Sequence, residues 1–281
     1  MSATVFAAVI AAAAMHAGWN ALLKVRLDPF LALALVTGCS GIAALPLLVA
    51  FGPPRVESWP WLLASLAFHI GYYGTLTEAY RRADMSQVYP IARGGAPLLT
   101  AVASVTLLDE PLAIAPAFGI AVLASGVILM SLKGRRVGAV FDPVAMCFAT
   151  ATAGMICGYT LVDGIGARTA GDPHAYSAAL FVLNGTPLPL FALWRRGVGG
   201  LKPAVGFLLP GAAGGAMSLG SYWIAIWAMT IAPIALVAAL RESSVLFAAL
   251  IAVAMLKEPL TPIRALSGAL ILCGLVLIRW S

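Results

Sequence analysis

The feature that most constrains this chain is a succession of apolar segments joined by short connections that carry charge, proline or glycine. A segment of about 20 apolar residues spans the hydrocarbon core of a bilayer, and its backbone must then be helical. Only 10% of the 281 residues are charged, against about 25% in soluble domains, so most of the surface must face lipid. The sequence therefore predicts an all-α polytopic membrane protein with ten transmembrane helices. The segments lie near residues 3–24, 29–51, 60–80, 85–108, 113–132, 143–164, 175–194, 205–230, 233–256 and 261–280.

Composition also argues against several kinds of site. The connections are too short to hold a soluble domain, and the first segment lacks the basic start of a secretory signal peptide, so we expect a retained helix. The net charge of +6 comes from basic residues scattered among the connections, which does not indicate a nucleic-acid partner. We expect no cofactor. We also expect no metal site and no disulfide, because the cysteines lie in apolar segments without paired spacing. The cysteines are Cys39, Cys147, Cys157 and Cys273.

The basic residues are distributed unevenly between the two sides of the membrane. One side, formed by the connections after the odd-numbered segments, holds twelve of them: Lys24, Arg26, Arg81, Arg82, Lys133, Arg135, Arg136, Arg195, Arg196, Lys202, Lys257 and Arg264. The opposite side holds three, which are Arg55, Arg168 and Arg279. Because short cytoplasmic loops collect lysine and arginine, we expect a multi-pass protein of the cell inner membrane with both termini in the periplasm.

An internal repeat divides the chain. A shift of 148 residues aligns Tyr89–Met130 with Val237–Ile278 without a gap, and twelve of the 42 positions are identical. We therefore expect two five-helix repeats, residues 1–137 and 138–281. Because five is odd, the second repeat enters the membrane from the opposite side, an arrangement of many secondary transporters that bind substrate between the halves. The identities include Arg93 with Arg241, Glu110-Pro111-Leu112 with Glu258-Pro259-Leu260, and Gly126 with Gly274.

Three short motifs indicate a known family. They are His16-Ala17-Gly18-Trp19-Asn20 with Lys24 in the first segment, Asp109-Glu110-Pro111 after the fourth, and Lys257-Glu258-Pro259 after the ninth. On these residues the chain resembles the drug/metabolite transporter superfamily of the EamA type, over nearly its whole length. The resemblance implies ten helices around a central cavity and the export of amino acids or other small metabolites. It implies no particular role for Arg93.

Charged side chains inside the segments are the first candidates for transport, because they are costly in lipid and usually face the protein interior. Glu78 and Asp163 lie close to segment ends, where an interfacial role is favoured. Arg93 and Arg241 lie roughly 12 Å deep at 1.5 Å per residue, and Glu242 follows Arg241 directly. Two interpretations stay open: an ion pair between the halves, or binding of a substrate carboxylate by an arginine and of an ammonium or proton by Glu242.

Aromatic and polar side chains complete the candidate site. Tryptophan and tyrosine near segment ends commonly anchor a helix at the interface, but several here lie deeper, where they either pack or line a cavity. We expect a cavity bounded by segments 1, 3, 4, 6, 8 and 9. The candidate substrate-binding residues are His16, Trp19, Asn20, Tyr72, Tyr89, Arg93, Tyr159, Tyr222, Trp223, Arg241 and Glu242.

These features favour a secondary transporter that exports small metabolites by alternating access. Amino acids, including aromatic or other amphipathic ones, are the leading substrate class. We expect a monomer or weak homodimer whose partners are its substrate and membrane lipid. The alternative is an intramembrane enzyme acting on a lipid or peptide, but no GxSxG, HExxH or paired-Asp motif is present. A channel is disfavoured because the repeat is inverted within one chain rather than arranged around a pore axis.

Overall fold

The computed structural model describes residues 1–22, 27–131, 142–257 and 260–280. Within these ranges the regular elements are helical, which confirms the all-α class. The α-helices are α1 Ala3–Leu22, α2 Pro29–Phe51, α3 Trp59–Arg82, α4 Met85–Leu107, α5 Ile114–Ser131, α6 Pro143–Thr169, α7 Pro173–Asn184, α8 Pro187–Val205, α9 Leu208–Ile231, α10 Ile234–Arg241, α11 Ser244–Leu256 and α12 Pro262–Arg279. Outside the described residues lie the expected repeat boundary at 137–138 and Lys24, Arg26, Lys133, Arg135, Arg136, Glu258 and Pro259.

The hydropathy of the helices is uneven. Three helices, α3, α4 and α9, fall short of the hydropathy of a typical span, and α5 is apolar but shorter. These three carry polar and aromatic side chains that face the interior of the protein, and such side chains lower the mean hydropathy of a helix that still crosses the membrane. Six segments are long and apolar enough by length and composition alone: Ala3–Leu22, Pro29–Phe51, Pro143–Thr169, Pro173–Val205, Ile234–Ala254 and Pro262–Arg279.

Three helices, α2, α6 and α7, begin at an Asp-Pro pair. The carboxylate of Asp28 accepts the backbone N–H of Leu31 at 3.1 Å, and the carboxylate of Asp142 accepts that of Val144 at 2.9 Å. Asp172 caps α7 in the same way. The proline at the first helical position has no N–H to leave unpaired, and the aspartate satisfies one of the next donors. Local sequence therefore sets where these helices begin.

The seventh predicted segment, 175–194, is not one continuous helix. It is divided into α7 and α8 at Gly185 and Thr186, immediately before Pro187. Helix α8 continues beyond the predicted end of the segment and is itself interrupted at Gly197, whose φ of 64° and ψ of 175° leave the helical region. Glycine adopts such a positive φ without steric cost, whereas other residues do not.

The ninth predicted segment, 233–256, is also broken, which corrects the expectation of a single helix. Between α10 and α11 the backbone N–H groups of Glu242 and Ser243 bond to carbonyls three residues earlier, at 3.0 and 3.1 Å. This tighter hydrogen-bonding pattern interrupts the α-helix. Arg241 and Glu242 therefore lie at a helix break rather than along a regular helix.

Contacts between helices reveal the symmetry of the two halves. Helix α1 packs against α9, and their counterparts in the other half, α6 and α3, pack against each other. Helix α4 packs against α6, while its counterparts α10 and α11 pack against α1. The α5–α12 pair joins a helix to its own counterpart, as do the contacts of α2 with α7 and α8. This pattern is that of a two-fold relation, and five crossings in each half make the repeats inverted.

The α5–α12 contact shows the two-fold relation residue by residue. A Cβ added to Gly126 would lie 2.9 Å from the carbonyl oxygen of Ser267. A Cβ added to Gly274 would lie 2.7 Å from the carbonyl oxygen of Gly119. The shift of 148 residues relates Gly126 to Gly274 and Gly119 to Ser267, so each half presents the same surface to the other.

The two-fold relation between the halves is also seen in the backbone conformation outside the helices. Among the described residues, the positive φ values of non-glycine residues occur at Asp109, with φ of 51°, and at Lys257, with φ of 53°. These two positions are related by the same shift of 148 residues. The turn that follows the fourth crossing of each half therefore starts with the same unusual conformation.

The close packing of α5 on α12 predicts that Gly274→Ala destabilises the protein. The added methyl group would overlap backbone atoms of α5, and overpacking of this kind typically costs about 1–3 kcal/mol. Gly154→Ala is the matched control, because nothing lies within 4 Å of a Cβ at that position of α6. The midpoint of thermal unfolding in detergent should fall for Gly274→Ala and stay level or rise for Gly154→Ala. Equal midpoints would contradict the packing argument.

Candidate functional site

A cavity of about 520 Å³ lies between the two halves. Its described lining comes from α1, α2, α3, α4, α6, α7, α9, α10 and α11. The sequence predicted walls from segments 1, 3, 4, 6, 8 and 9, and the structure adds segments 2 and 7. The added helices contribute Thr37 and Ser40 from α2, and Phe181 and Asn184 from α7.

Nine of the eleven candidate residues lie in the cavity lining: His16, Trp19, Asn20, Tyr72, Tyr89, Arg93, Tyr159, Tyr222 and Arg241. Glu242 lies behind the wall, 5% exposed, in contact with Arg93. His69, Tyr73 and Asn184, which are not among the eleven candidates, also line the cavity.

Trp223 lies outside the described lining, which corrects its expected position in the cavity wall. Its indole N–H donates to Nδ1 of His174 at 2.8 Å, and its ring lies beside that of Phe51. Neighbouring side chains on an α-helix point about 100° apart, since 3.6 residues make one turn. Tyr222 therefore faces the cavity while Trp223 faces the start of α7.

An ion pair joins the halves at the break in the ninth segment. Nη2 of Arg93 on α4 lies 3.1 Å from Oε2 of Glu242, and the two side chains are only 15% and 7% exposed. The contact joins opposite charges, but its angles are not those of a hydrogen bond. Of the two interpretations left open by the sequence, the structure contains the pair between halves, with Arg93 as the partner of Glu242.

Arg241, the repeat counterpart of Arg93, has a different environment. The central carbon of its guanidinium lies 4.5 Å from the centroid of the Tyr222 ring, a cation–π contact. No described carboxylate forms a salt bridge with it. Arg241 therefore brings to the cavity a positive charge that no described acidic side chain neutralises directly.

Asp163 is a buried residue that the sequence placed at the membrane interface. Helix α6 continues to Thr169, and Asp163 is 0% exposed. Its two oxygens accept hydrogen bonds from the phenol of Tyr176 at 3.0 Å and from that of Tyr222 at 2.5 Å. An acidic residue within an apolar segment usually faces the protein interior, and this could have identified Asp163. The predicted segment ended at residue 164, too early, so Asp163 was assigned to the helix end.

Aromatic rings form one wall of the cavity around Tyr159. His69 stacks on the Tyr159 ring with centroids 4.3 Å apart. Tyr72 and Tyr222 approach the same ring edge-on, with centroids 6.3 and 6.2 Å away. Such pairs contribute about 0.5–1.5 kcal/mol each beyond area burial, so the wall is a packed unit. We call these four residues the aromatic wall.

The cavity extends toward one side of the membrane. Its lining reaches the last turn of α1 at Asn20, the last turns of α3 at Leu76, and the first turns of α2 and α4 at Leu33 and Tyr89. These helix ends meet at the α1–α2 and α3–α4 connections. At α1 the side-chain amide of Asn20 donates to the carbonyl of His16 at 2.7 Å.

A polar network ties the halves together on the opposite side. Nη1 of Arg168, at the end of α6, lies 2.5 Å from Oε1 of Glu110, which follows α4. Arg168 also donates to the carbonyls of Met229 at 2.8 Å and Ala232 at 3.2 Å. The second Glu110 oxygen accepts the N–H of Ile234 at 3.0 Å. We call these five residues the Glu110–Arg168 latch, because they join the α4–α5 connection to α6, α9 and α10.

Comparison with known proteins agrees with this architecture. One solved structure, described as a crystal structure of protein, is 19% identical, with a TM-score of 0.78 and coverage of 99% of each chain; at this identity the likeness shows the fold alone. No curated protein matches significantly. The sequence model of the EamA-like transporter family matches the chain twice, over residues 2–132 and 142–280. The chain therefore belongs to the EamA-like transporter family and is a multi-pass membrane protein that transports small molecules.

Proposed function

We propose that this protein is a secondary transporter that exports small metabolites across the inner membrane, with amino acids as the leading substrate class. The observation that carries the proposal is a cavity between inverted halves that combines the Arg241 guanidinium with the aromatic wall. A volume of about 520 Å³ falls within the range of small-molecule sites, roughly 300–1,000 Å³. An arginine suits a carboxylate, and the aromatic rings suit an apolar or aromatic side chain.

We propose that transport follows alternating access. Inverted halves give inward-open and outward-open states of similar energy, so a modest difference in contacts can switch them. In the proposed cycle this structure is the inward-open state. The Glu110–Arg168 latch closes the outer side, while the cavity reaches the helix ends at the α1–α2 and α3–α4 connections. Substrate would enter from the cytoplasm and leave when the latch side opens.

The charge distribution predicts that both termini face the periplasm. Twelve basic residues on one side against three on the other favour this orientation by the positive-inside rule. A C-terminal alkaline phosphatase fusion should be active, and a C-terminal fluorescent protein fusion should be dark. The reverse pattern would contradict the orientation, and the latch would then close the cytoplasmic side.

Amino-acid flux in proteoliposomes tests the proposed activity. We expect saturable movement of at least one radiolabelled amino acid. Tyr159→Ala removes the central ring of the aromatic wall, and the loss of its contact with a substrate side chain should lower flux by about tenfold, which corresponds to 1.4 kcal/mol. Trp194→Ala is the control, because this tryptophan is exposed and outside the described lining. A protein that moves no amino acid but hydrolyses a lipid or peptide would support the enzyme alternative instead. Equal flux in the two variants would contradict a role for the aromatic wall.

A further inference from the structure

We infer that the cavity recognises its substrates by their carboxylate group and does not require the positive charge of an amino group. It would therefore accept the 2-hydroxy acid analogues of amino acids and discriminate against the corresponding amines. The inference rests on the proposed export function and specifies which part of an amino acid the site recognises.

The first support is the charge of the lining. The described lining residues include Arg93 and Arg241 but no aspartate or glutamate. Glu242, behind the wall, forms a salt bridge with Arg93. Glu242 and Asp163 both lie within electrostatic range of Arg241, but neither forms a salt bridge with it. Arg241 thus remains the charge that a ligand would meet, and an anion bound there gains both charge attraction and hydrogen bonds.

The second support is the way Arg241 is positioned. Its guanidinium lies over the Tyr222 ring, and the Tyr222 phenol donates to Asp163. The other oxygen of Asp163 accepts from Tyr176. Asp163 thus fixes the ring on which the guanidinium lies, since each of its oxygens accepts a hydrogen bond from a tyrosine phenol. Asp163 itself is not among the described lining residues of the cavity. We regard Asp163 as a positioning residue and not as a partner for a substrate ammonium.

The third support is an unpaired acceptor in the lining. The side-chain oxygen of Asn184 is buried and has no hydrogen-bond partner, while its amide nitrogen lies 3.5 Å from Nδ1 of His69. A buried acceptor gains when a ligand donates to it. Because this oxygen is neutral, a hydroxyl serves as well as an ammonium, and an ammonium would lose its hydration without gaining a counter-charge.

Competition between matched compounds tests the inference. Proteoliposomes would be assayed for flux of labelled phenylalanine and labelled phenyllactate, each competed by phenylalanine, phenyllactate and phenylethylamine. A second set would use leucine, its 2-hydroxy analogue and 3-methylbutylamine. We expect the two acids of a set to compete within a few-fold of each other and the amine to be at least about tenfold weaker, a difference of 1.4 kcal/mol.

The outcomes separate this inference from the proposed function. An amine that competes as well as the acids, or a hydroxy acid that neither competes nor moves, would overturn the inference while amino-acid export stands. Movement of phenyllactate without movement of any amino acid would refute the amino-acid proposal but support carboxylate selection. If neither acids nor amino acids move, both are refuted.

Variants identify the residues responsible. Arg241→Gln should bring the ratio of acid to amine competition toward one, while Arg241→Lys should retain part of it. Asp163→Asn should raise KM for the acids more than it lowers maximal flux, with Tyr176→Phe as the milder control on the same carboxylate. The competition ratio comes from one preparation, so it does not depend on how much protein folds. An unchanged ratio in Arg241→Gln would overturn the assignment.

Discussion

Glu242→Ala is expected to destabilise the protein by about 3–5 kcal/mol and to abolish transport, because it leaves the Arg93 guanidinium buried without its counter-charge. The two side chains meet between α4 and the break after α10, away from solvent. Thermal unfolding in detergent and proteoliposome flux measure the two effects separately. Glu78→Ala is the matched control, since Glu78 pairs with Arg81 and Arg82 at an exposed helix end, where such pairs contribute about 0–1 kcal/mol.

The double change Arg93→Met with Glu242→Leu then distinguishes a structural pair from a functional one. An apolar pair of similar volume can replace a buried ion pair without loss of stability, so the double variant should recover the unfolding midpoint. Recovery of flux together with stability would mean that the pair serves only folding. A stable but inactive double variant would mean that transport needs the charges, for example by breaking and reforming the pair during the cycle.

Arg168→Ala is expected to shift the conformational balance toward the state open on the latch side. The variant loses the ion pair to Glu110 and two hydrogen bonds to the carbonyls that end α9. Hydrogen bonds to charged groups contribute about 1.5–3 kcal/mol, and partial exposure reduces this to roughly 1–2 kcal/mol here. A change of that size alters an equilibrium about 5–30-fold.

Accessibility of a single cysteine measures the shift. In a background without other cysteines, Ser218→Cys places a thiol in the cavity lining, and an impermeant maleimide is added on the latch side of sealed vesicles. Labelling should rise with Arg168→Ala but not with Arg196→Ala. The control is well matched: the two arginine side chains are 34% and 35% exposed, and Arg196 pairs with Asp28 on the opposite side. Equal labelling in both variants would contradict a gating role for the latch.

Much of this fold could be predicted because its signals are local or repeated. The Asp-Pro pairs give helix starts, the apolar runs give the crossings, and the register of Arg93 with Arg241 gives the inverted repeat. Deep aromatic and charged residues were good indicators of the cavity, since they have few other reasons to be in lipid. The amino-acid substrate class and the orientation remain predictions.

The features of the site that could not be predicted from the sequence depend on packing between segments that are distant in the chain. The polar and aromatic residues of helix α9 do not form one clear face, so periodicity does not show that Tyr222 faces the cavity and Trp223 does not. The true end of α6 is hidden because its glycines look like helix breakers. In the structure they are contact points: a Cβ at Gly164 would overlap Ile234, and one at Gly166 would overlap Tyr176. The hydrogen-bonding role of Asp163 follows from these contacts.

The symmetric contact between α5 and α12 has a consequence for how the protein could be tuned. In the proposed cycle, the outward-open state is the present one with the roles of the halves exchanged. A contact that already looks the same from both halves is unchanged by that exchange, whereas the Glu110–Arg168 latch must break. Strengthening or weakening the α5–α12 contact at Gly126 and Gly274 therefore changes the stability of both states together. The stability of the protein and the balance between its two states can then be altered independently, the first at the α5–α12 contact and the second at the Glu110–Arg168 latch.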